Sequence, residues 1–194
     1  DTSTTGIRHR TQKESLGTSA SWTGVSSLAF RPKARLYRMV ILGIDPGLER
    51  VGYGVVLKSG SKLTAVGYGL ITTPRLETPE RLKLIYEQTL ALIDKYNPDV
   101  ACSERLFFSK NQTTALGVAE ARGVVLSVAG LADLPVLECS PQQVKLAVTG
   151  YGSADKKAVI NMIEKLIVLP KKKRLDDEFD AIALGIAGLS TRPF

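Results

Sequence analysis

The order of strand-like and helix-like segments is the feature that most constrains how this 194-residue chain can fold. Three strand-like segments come first, at Met39–Asp45, Val51–Lys58 and Leu63–Thr72, and the short links between them predict antiparallel pairing. Further along the chain, short apolar runs alternate with helical patterns, which is typical of parallel strands joined by helices. The sequence therefore predicts an α/β fold in which helices cover both faces of a five-stranded mixed sheet.

The segments after the first three strands have recognisable starts and ends. Thr78-Pro79-Glu80 predicts a helix that Thr78 caps and that Asn97-Pro98 ends. Strands are expected at Asp99–Glu104 and Val136–Cys139, and a type II turn with Gly47 at its positive-φ position is expected after the first strand. The other expected helices run from Asn111 to about Gly130, from the capping box Ser140-Pro141-Gln142-Gln143 to about Val148, from Ser153 to Pro170, and from Asp177 to Leu189.

Residues 1–38 differ in composition from the rest of the chain. They contain twelve Ser or Thr, and seven Lys or Arg against two Asp or Glu. Such a segment buries too little apolar surface to offset the entropy of ordering, so we expect a disordered leader followed by one domain at 39–194. The composition is that of an organellar transit peptide, but Met39 immediately before the first strand favours an extension upstream of the true start. We therefore expect a cytoplasmic protein, or an organellar one if the leader is a real transit peptide.

The remaining composition excludes several kinds of site. Residues 39–194 carry 19 basic and 17 acidic side chains, so charge alone does not identify a nucleic-acid partner. The single histidine, His9, excludes His-based triads, and the two cysteines, Cys102 and Cys139, are too few for a zinc cluster or a disulfide framework. The longest apolar runs reach about half the length that a membrane-spanning helix needs.

Four acidic residues are the candidate catalytic groups. Asp45 and Glu104 end two strands, and Asp177 and Asp180 stand at i and i+3 at the start of the last helix. If the two strands are parallel neighbours, their carboxyl ends place Asp45 beside Glu104. Four close carboxylates cannot all stay ionised without cations, and oxygen ligands suit Mg²⁺. We therefore expect a site for two Mg²⁺ ions, with Mn²⁺ as a substitute, that could hydrolyse a phosphodiester.

Each acid also has a structural explanation. Asp45 can simply begin a turn, and Glu104 can be a solvated strand end. Asp177 and Asp180 can form the ordinary acidic start of a helix. The metal-site hypothesis is favoured by the joint pattern, and these structural alternatives stay open at the level of sequence.

Basic and aromatic residues near these acids point to a phosphate-bearing partner. Lys156 and Lys157 fall in the first turn of a helix, where the dipole disfavours cations and a bound phosphate would remove the conflict. Phe107 and Phe108 follow the second strand-end acid in a basic stretch, and one of them can stack on an exposed base while the other packs beneath the next helix. The alternative for Lys156 and Lys157 is that they are ordinary solvated surface lysines. The alternative for Phe107 and Phe108 is that both rings are buried.

Several motifs, in this order, resemble the RuvC-type Holliday-junction resolvases of the ribonuclease H-like superfamily. The resemblance covers Met39 to about Leu189. The segments that carry it are Gly43-Ile44-Asp45-Pro46-Gly47, Arg81-Leu82-Lys83-Leu84-Ile85-Tyr86, Glu104 with Phe107, Gln143-Val144-Lys145, Gly152-Ser153-Ala154-Asp155-Lys156, and Asp177 with Asp180-Ala181. It implies a ribonuclease H-like fold and a magnesium-dependent endodeoxyribonuclease. Such an enzyme resolves four-way DNA junctions by paired symmetric nicks in recombination and repair, and it leaves 5′-phosphates.

The resemblance also implies roles for individual residues. The metal-binding catalytic acids would be Asp45, Glu104, Asp177 and Asp180. Phe107 would stack at the junction centre, and the DNA contacts would come from Lys110, Lys145 and Lys156. The resemblance further implies a homodimer, for which the helix from Asn111 to Gly130 is the interface candidate, and a branch-migration motor of the RuvA-RuvB type as a partner.

Two other functions are compatible with parts of the pattern. An ATPase of the actin and sugar-kinase kind shares an Asp on the first strand followed by a glycine turn, but it normally needs a second such domain, for which this chain leaves no room. A non-catalytic junction-binding module would bind DNA without needing four acids directed at phosphates.

Overall fold

The computed structural model describes residues 38–105, 112–167, 169 and 175–190. Several predictions fall outside these residues: the leader, the stacking role of Phe107 or Phe108, the DNA contact of Lys110, and the cap at Asn111. Pro170, which was predicted to end a helix, also lies outside them, but that helix already ends at Leu166. Within the described part of the chain, no helix is long and apolar enough to cross a membrane.

The described strands form one mixed sheet in the spatial order β3-β2-β1-β4-β5. The strands are β1 Arg38–Asp45, β2 Arg50–Ser59, β3 Lys62–Thr72, β4 Val100–Glu104 and β5 Val136–Cys139. β1 pairs antiparallel with β2, and β2 pairs antiparallel with β3. β4 lies parallel to β1, and β5 lies parallel to β4. The predicted mixed sheet, with three antiparallel strands followed by parallel ones, is therefore confirmed.

The described helices connect or follow these strands. They are α1 Thr78–Tyr96, α2 Gln112–Leu131, α3 Pro141–Thr149, α4 Lys156–Leu166 and α5 Asp176–Ser190. α3 begins at the predicted capping box, in which Ser140 and Gln143 each bond to the other's backbone. α1 ends at Asn97, whose left-handed φ of 43° stops the helix immediately before Pro98.

Three further local predictions were wrong. α1 begins one residue earlier than expected, with Glu77 at the N-cap position, and α4 is capped by the Asp155 carboxylate rather than by Ser153. Gly47 does not have the positive φ that a type II turn requires. Close packing explains instead why this position is a glycine, because a Cβ at Gly47 would lie 2.6 Å from the carbonyl oxygen of Arg50.

The sheet has a hydrophobic cluster on each face. On one face, side chains of α1 and α2 pack on alternate residues of the central strands, and the largest buried members include Leu42, Val55, Ile85 and Ile93. On the other face, α5 lies against the sheet with α3 and α4 beside it. In α4, Val159 and Ile163 are buried, whereas Leu166, its last residue, is 41% exposed.

Glycines bring α5 unusually close to the sheet. A Cβ at Gly43 would overlap the backbone of Ala181, and one at Gly54 would lie 2.7 Å from the backbone nitrogen of Ile182. Gly52 makes the same kind of approach to the backbone carbonyl of Asp177. Because side chains at these positions would push the helix outward, the glycines set the distance between the first turn of α5 and the ends of β1 and β2.

Candidate metal centre

Two of the predicted acids are placed by strand pairing. β1 and β4 run in the same direction with Ile44 opposite Ser103, so Asp45 and Glu104 follow as the last residues of two adjacent strands. The carboxyl ends of neighbouring parallel strands lie at one edge of a sheet, where open α/β folds place their ligands. The expected juxtaposition of Asp45 and Glu104 is therefore present.

The other two acids come from the first turns of α5. Asp45, Asp177 and Asp180 each contribute a carboxylate oxygen, and these three oxygens all lie within 4.8 Å of one another. We call these three residues the aspartate cluster. Carboxylates with this spacing can share a divalent cation, because each can direct an oxygen to one point between them.

Glu104 stands beside the aspartate cluster but is not one of the residues whose carboxylate oxygens all lie within 4.8 Å of one another. It lines a cavity of about 210 Å³ together with Asp45 and two arginines, Arg105 and Arg122. On its other side it lines a cavity of about 310 Å³ with Asp180 and two lysines. Asp177 lines a third cavity together with Asp45, so each of the four predicted acids shares a cavity with another of them.

Burial and mutual repulsion make these carboxyl groups hard to ionise together. Burial, together with the charges of Asp180, Glu104 and Asp177, raises the pKa of Asp45 to about 7. Burial, followed by the charge of Asp180, raises the pKa of Glu104. Burial also raises the pKa of Asp180, although the hydrogen bond from Lys156 opposes that change. A divalent cation at this place would favour the ionised forms.

Lys156 is half exposed and forms ion pairs with two carboxylates. Its Nζ lies 3.0 Å from Oδ2 of Asp180 and 3.2 Å from Oδ2 of Asp176. Burial lowers the pKa of Lys156, but the bonds and charges of these two carboxylates outweigh burial and raise it. The predicted conflict between this cation and the α4 dipole is therefore offset by carboxylates of the same chain. Lys145, on α3, lines the cavity of about 310 Å³ together with Lys156.

Sequence reasoning missed two charged residues at this site. Arg50, at the start of β2, places its Nε 3.2 Å from Oδ2 of Asp177. Asp176 is the second partner of Lys156. Asp176 directly precedes Asp177 in a run of acids and could have been included on that ground, whereas nothing in the local sequence around Arg50 indicates which carboxylate it meets.

The donor set fits a hard divalent cation. The aspartate cluster and the neighbouring Glu104 present only carboxylate oxygens, which are the ligands that Mg²⁺ and Mn²⁺ prefer. Thiolate and imidazole ligands, which would favour zinc, are absent from this set. The geometry thus supports divalent-metal binding by the aspartate cluster.

Comparison with known proteins gives a consistent result. Residues 41–188 match the family described as Crossover junction endodeoxyribonuclease RuvC. A protein of that name from Brevibacillus brevis is 48% identical over 157 residues, which make up 80% of this chain and 95% of the relative. One from Thermosipho melanesiensis is 48% identical over 147 residues, which cover 75% of this chain and 94% of the relative.

Solved structures show the same likeness. The structure described as T. thermophilus RuvC in complex with Holliday junction substrate is 32% identical in sequence, with a TM-score of 0.72. The match covers 77% of this chain and 92% of that one. The yeast mitochondrial Holliday junction resolvase Ydc2 is 16% identical with a TM-score of 0.58, which indicates a shared fold. This chain therefore belongs to the RuvC family of crossover junction endodeoxyribonucleases.

Proposed function

We propose that this chain resolves four-way DNA junctions by divalent-metal-dependent hydrolysis at the aspartate cluster. The observation that carries the proposal is the convergence of Asp45, Asp177 and Asp180 from two separate elements, within 4.8 Å, in a member of the RuvC family. A relative of known structure was solved with a Holliday junction substrate, which supports the same substrate class for this chain.

The aspartate cluster and Glu104 would hold the metal ions, and the proposed complement is two Mg²⁺ with Mn²⁺ as a substitute. When bound, such ions activate a water molecule and stabilise the departing oxygen of a phosphodiester. The residues of the chain hold the carboxylates at one sheet edge and place positive side chains beside them. Lys145 and Lys156 line the adjacent cavity with Glu104 and Asp180, where a DNA phosphate could be bound next to the acids.

A symmetric junction requires two cutting sites for two paired nicks, so we propose that the protein acts as a homodimer. α2 is the proposed interface. It exposes Leu116, which is 68% accessible, and Leu131, which is 54% accessible, and these are apolar side chains that a partner copy could cover. A motor of the RuvA-RuvB type remains the proposed partner for branch migration, and 5′-phosphate ends are the proposed products.

The decisive variant is Asp45→Asn, which keeps the size of the side chain and removes its charge. With Mg²⁺ present, the wild-type chain is expected to cut a synthetic four-way junction and leave a linear duplex of the same sequence intact. Asp45→Asn is expected to bind the junction and not cut it. Nicked products that a DNA ligase reseals without prior phosphorylation would indicate 5′-phosphate ends.

The matched control is Asp94→Asn, an exposed acid on α1 that should cut at the wild-type rate. The proposal fails if the wild-type protein leaves junctions uncut with Mg²⁺ and with Mn²⁺, or if Asp45→Asn cuts as fast as Asp94→Asn does.

A further inference from the structure

Arg50 contacts the aspartate cluster from outside the set of acids. It is the first residue of β2, and its side chain is 51% exposed while that of Asp177 is 29% exposed. The contact joins Nε of Arg50 to Oδ2 of Asp177 at 3.2 Å. Arg50 also lines a cavity of about 550 Å³ next to the cluster, in which Asp45 and Asp177 are neighbours.

The three acids of the cluster differ in their partners. Asp180 forms an ion pair with Lys156, and Asp177 forms one with Arg50. In each pair the cation contacts Oδ2 of the aspartate. No ion pair of Asp45 is found among the described residues. The ion pair of each of these two carboxylates therefore involves one named oxygen, Oδ2, and does not involve Oδ1.

We propose that Arg50 is a positioning residue for Asp177, and that the contact of its Nε with Oδ2 holds the carboxylate in the orientation that binds a divalent cation. This inference rests on the metal-binding part of the proposed function. An unrestrained aspartate side chain samples several rotamers, and a polar contact at one oxygen selects among them before the metal arrives. Such outer partners of metal ligands commonly change metal affinity by about 10–100-fold.

Positioning and charge predict opposite effects for the loss of this side chain. A guanidinium beside the cluster repels a divalent cation, so on charge alone the removal of Arg50 should strengthen metal binding. If Arg50 orients Asp177, its removal should weaken metal binding. The sign of the change therefore separates the two roles.

Two substitutions separate the effect of the N–H donor of Arg50 from the effect of its positive charge. In Arg50→Gln, the amide nitrogen stands at the same number of bonds from Cα as Nε of arginine, so the donor is kept and the charge is lost. In Arg50→Met, a side chain of similar length carries neither. The matched control is Lys83→Met, which removes a cation from an exposed pair with Glu87 on α1.

The experiment measures the dissociation constant for Mn²⁺ by electron paramagnetic resonance on the full chain without DNA. Arg50→Met is expected to bind Mn²⁺ about 10–100-fold more weakly than wild type. Arg50→Gln is expected to bind it at least as tightly as wild type, and Lys83→Met should match wild type. Thermal unfolding without metal should give similar midpoints for all four proteins, because half-exposed ion pairs contribute little to stability.

The inference is overturned if Arg50→Met binds Mn²⁺ as tightly as wild type or more tightly, or if Arg50→Gln is as weak as Arg50→Met. It is also overturned if the wild-type chain binds no Mn²⁺. Junction cutting by the wild-type chain is assayed in parallel. Normal Mn²⁺ affinities in a chain that cuts no junction would reject the proposed function and leave the role of Arg50 to be decided by the two variants.

Discussion

The two faces of the sheet differ in how closely their helices approach it. On the first face, α1 and α2 are held off the strands by side chains such as Ile85 and Ile93, which are almost completely buried. On the second face, α5 lies against glycines, and a Cβ at Gly54 would come within 2.7 Å of its backbone. Both faces bury apolar surface, but only the second also sets the distances between the carboxylates. Stability and site geometry are thus separable on the first face and coupled on the second.

The largest expected effect tests this comparison with a buried isoleucine from each face. Ile85 on α1 and Ile182 on α5 are both fully buried. Replacing either one by alanine should lower the free energy of unfolding by about 2–5 kcal/mol, because each change removes buried methyl groups and leaves a cavity. Only Ile182→Ala should also weaken Mn²⁺ binding, since it loosens the helix that carries Asp177 and Asp180. Denaturant unfolding and Mn²⁺ titration measure the two effects, and equal losses of metal affinity would remove the distinction between the faces.

A smaller effect is expected from glycines on the two faces. Gly54→Ala places a methyl group against the α5 backbone and should destabilise the protein by about 1–3 kcal/mol, with reduced junction cutting. The matched control is Gly130→Ala in α2, where nothing lies within 4 Å of the added Cβ. That change should be neutral or stabilising by up to about 1 kcal/mol, because alanine favours helix more than glycine does. Normal stability and cutting in Gly54→Ala would show that the close approach of α5 is not required.

The third expected effect, no larger than that of Gly54→Ala, concerns pH and the metal-free protein. The folded-state pKa of Asp45 is raised from 3.8 to about 7, first by burial and then by the neighbouring acids. Between these two values the folded state keeps a proton that the unfolded chain has released, so the free energy of unfolding should fall as pH rises through this window. We expect a change on the order of 2 kcal/mol, given that this carboxyl is partly exposed.

Asp45→Asn should remove most of that pH dependence, and Asp94→Asn should keep it. Denaturant unfolding in a chelator from pH 4 to pH 7 measures the effect, and Mn²⁺ affinity should rise over the same range as the proton is released. A metal-free stability that rises with pH in wild type would contradict the raised pKa of Asp45.

Sequence reasoning predicted most of the secondary structure, because its signals are local. Each signal depends on residues a few positions apart in the chain. Examples are the strands on either side of a glycine-containing turn, the capping box at Ser140 and the end of α1 at Asn97. The error at Ser153 arose because Asp155, two residues later, can also cap the helix, and its carboxylate accepts from the backbone N–H of Ala158. The error at Thr78 is a shift of one residue, since Glu77 occupies the N-cap position without a side-chain hydrogen bond.

The candidate site was predicted only in part. Asp45 and Glu104 could be placed together because neighbouring parallel strands end at the same edge, and Asp177 and Asp180 share a helix face. The contact between Arg50 and Asp177 spans 127 positions of the chain, and the contact of Lys156 with Asp180 spans 24. No local pattern encodes either pairing, so the sequence offered no signal for Arg50.

By itself, the sequence determined which residue types were available and where the backbone could form strands, turns and helices. These properties depend on neighbours in the chain, through hydrogen bonding, steric restriction and the period of apolar side chains. Only the tertiary structure decided that α5 would lie within backbone contact of β1 and β2, and hence that three aspartates would share a space of a few ångströms. Such distances depend on volumes packed between distant elements, which no stretch of sequence specifies alone.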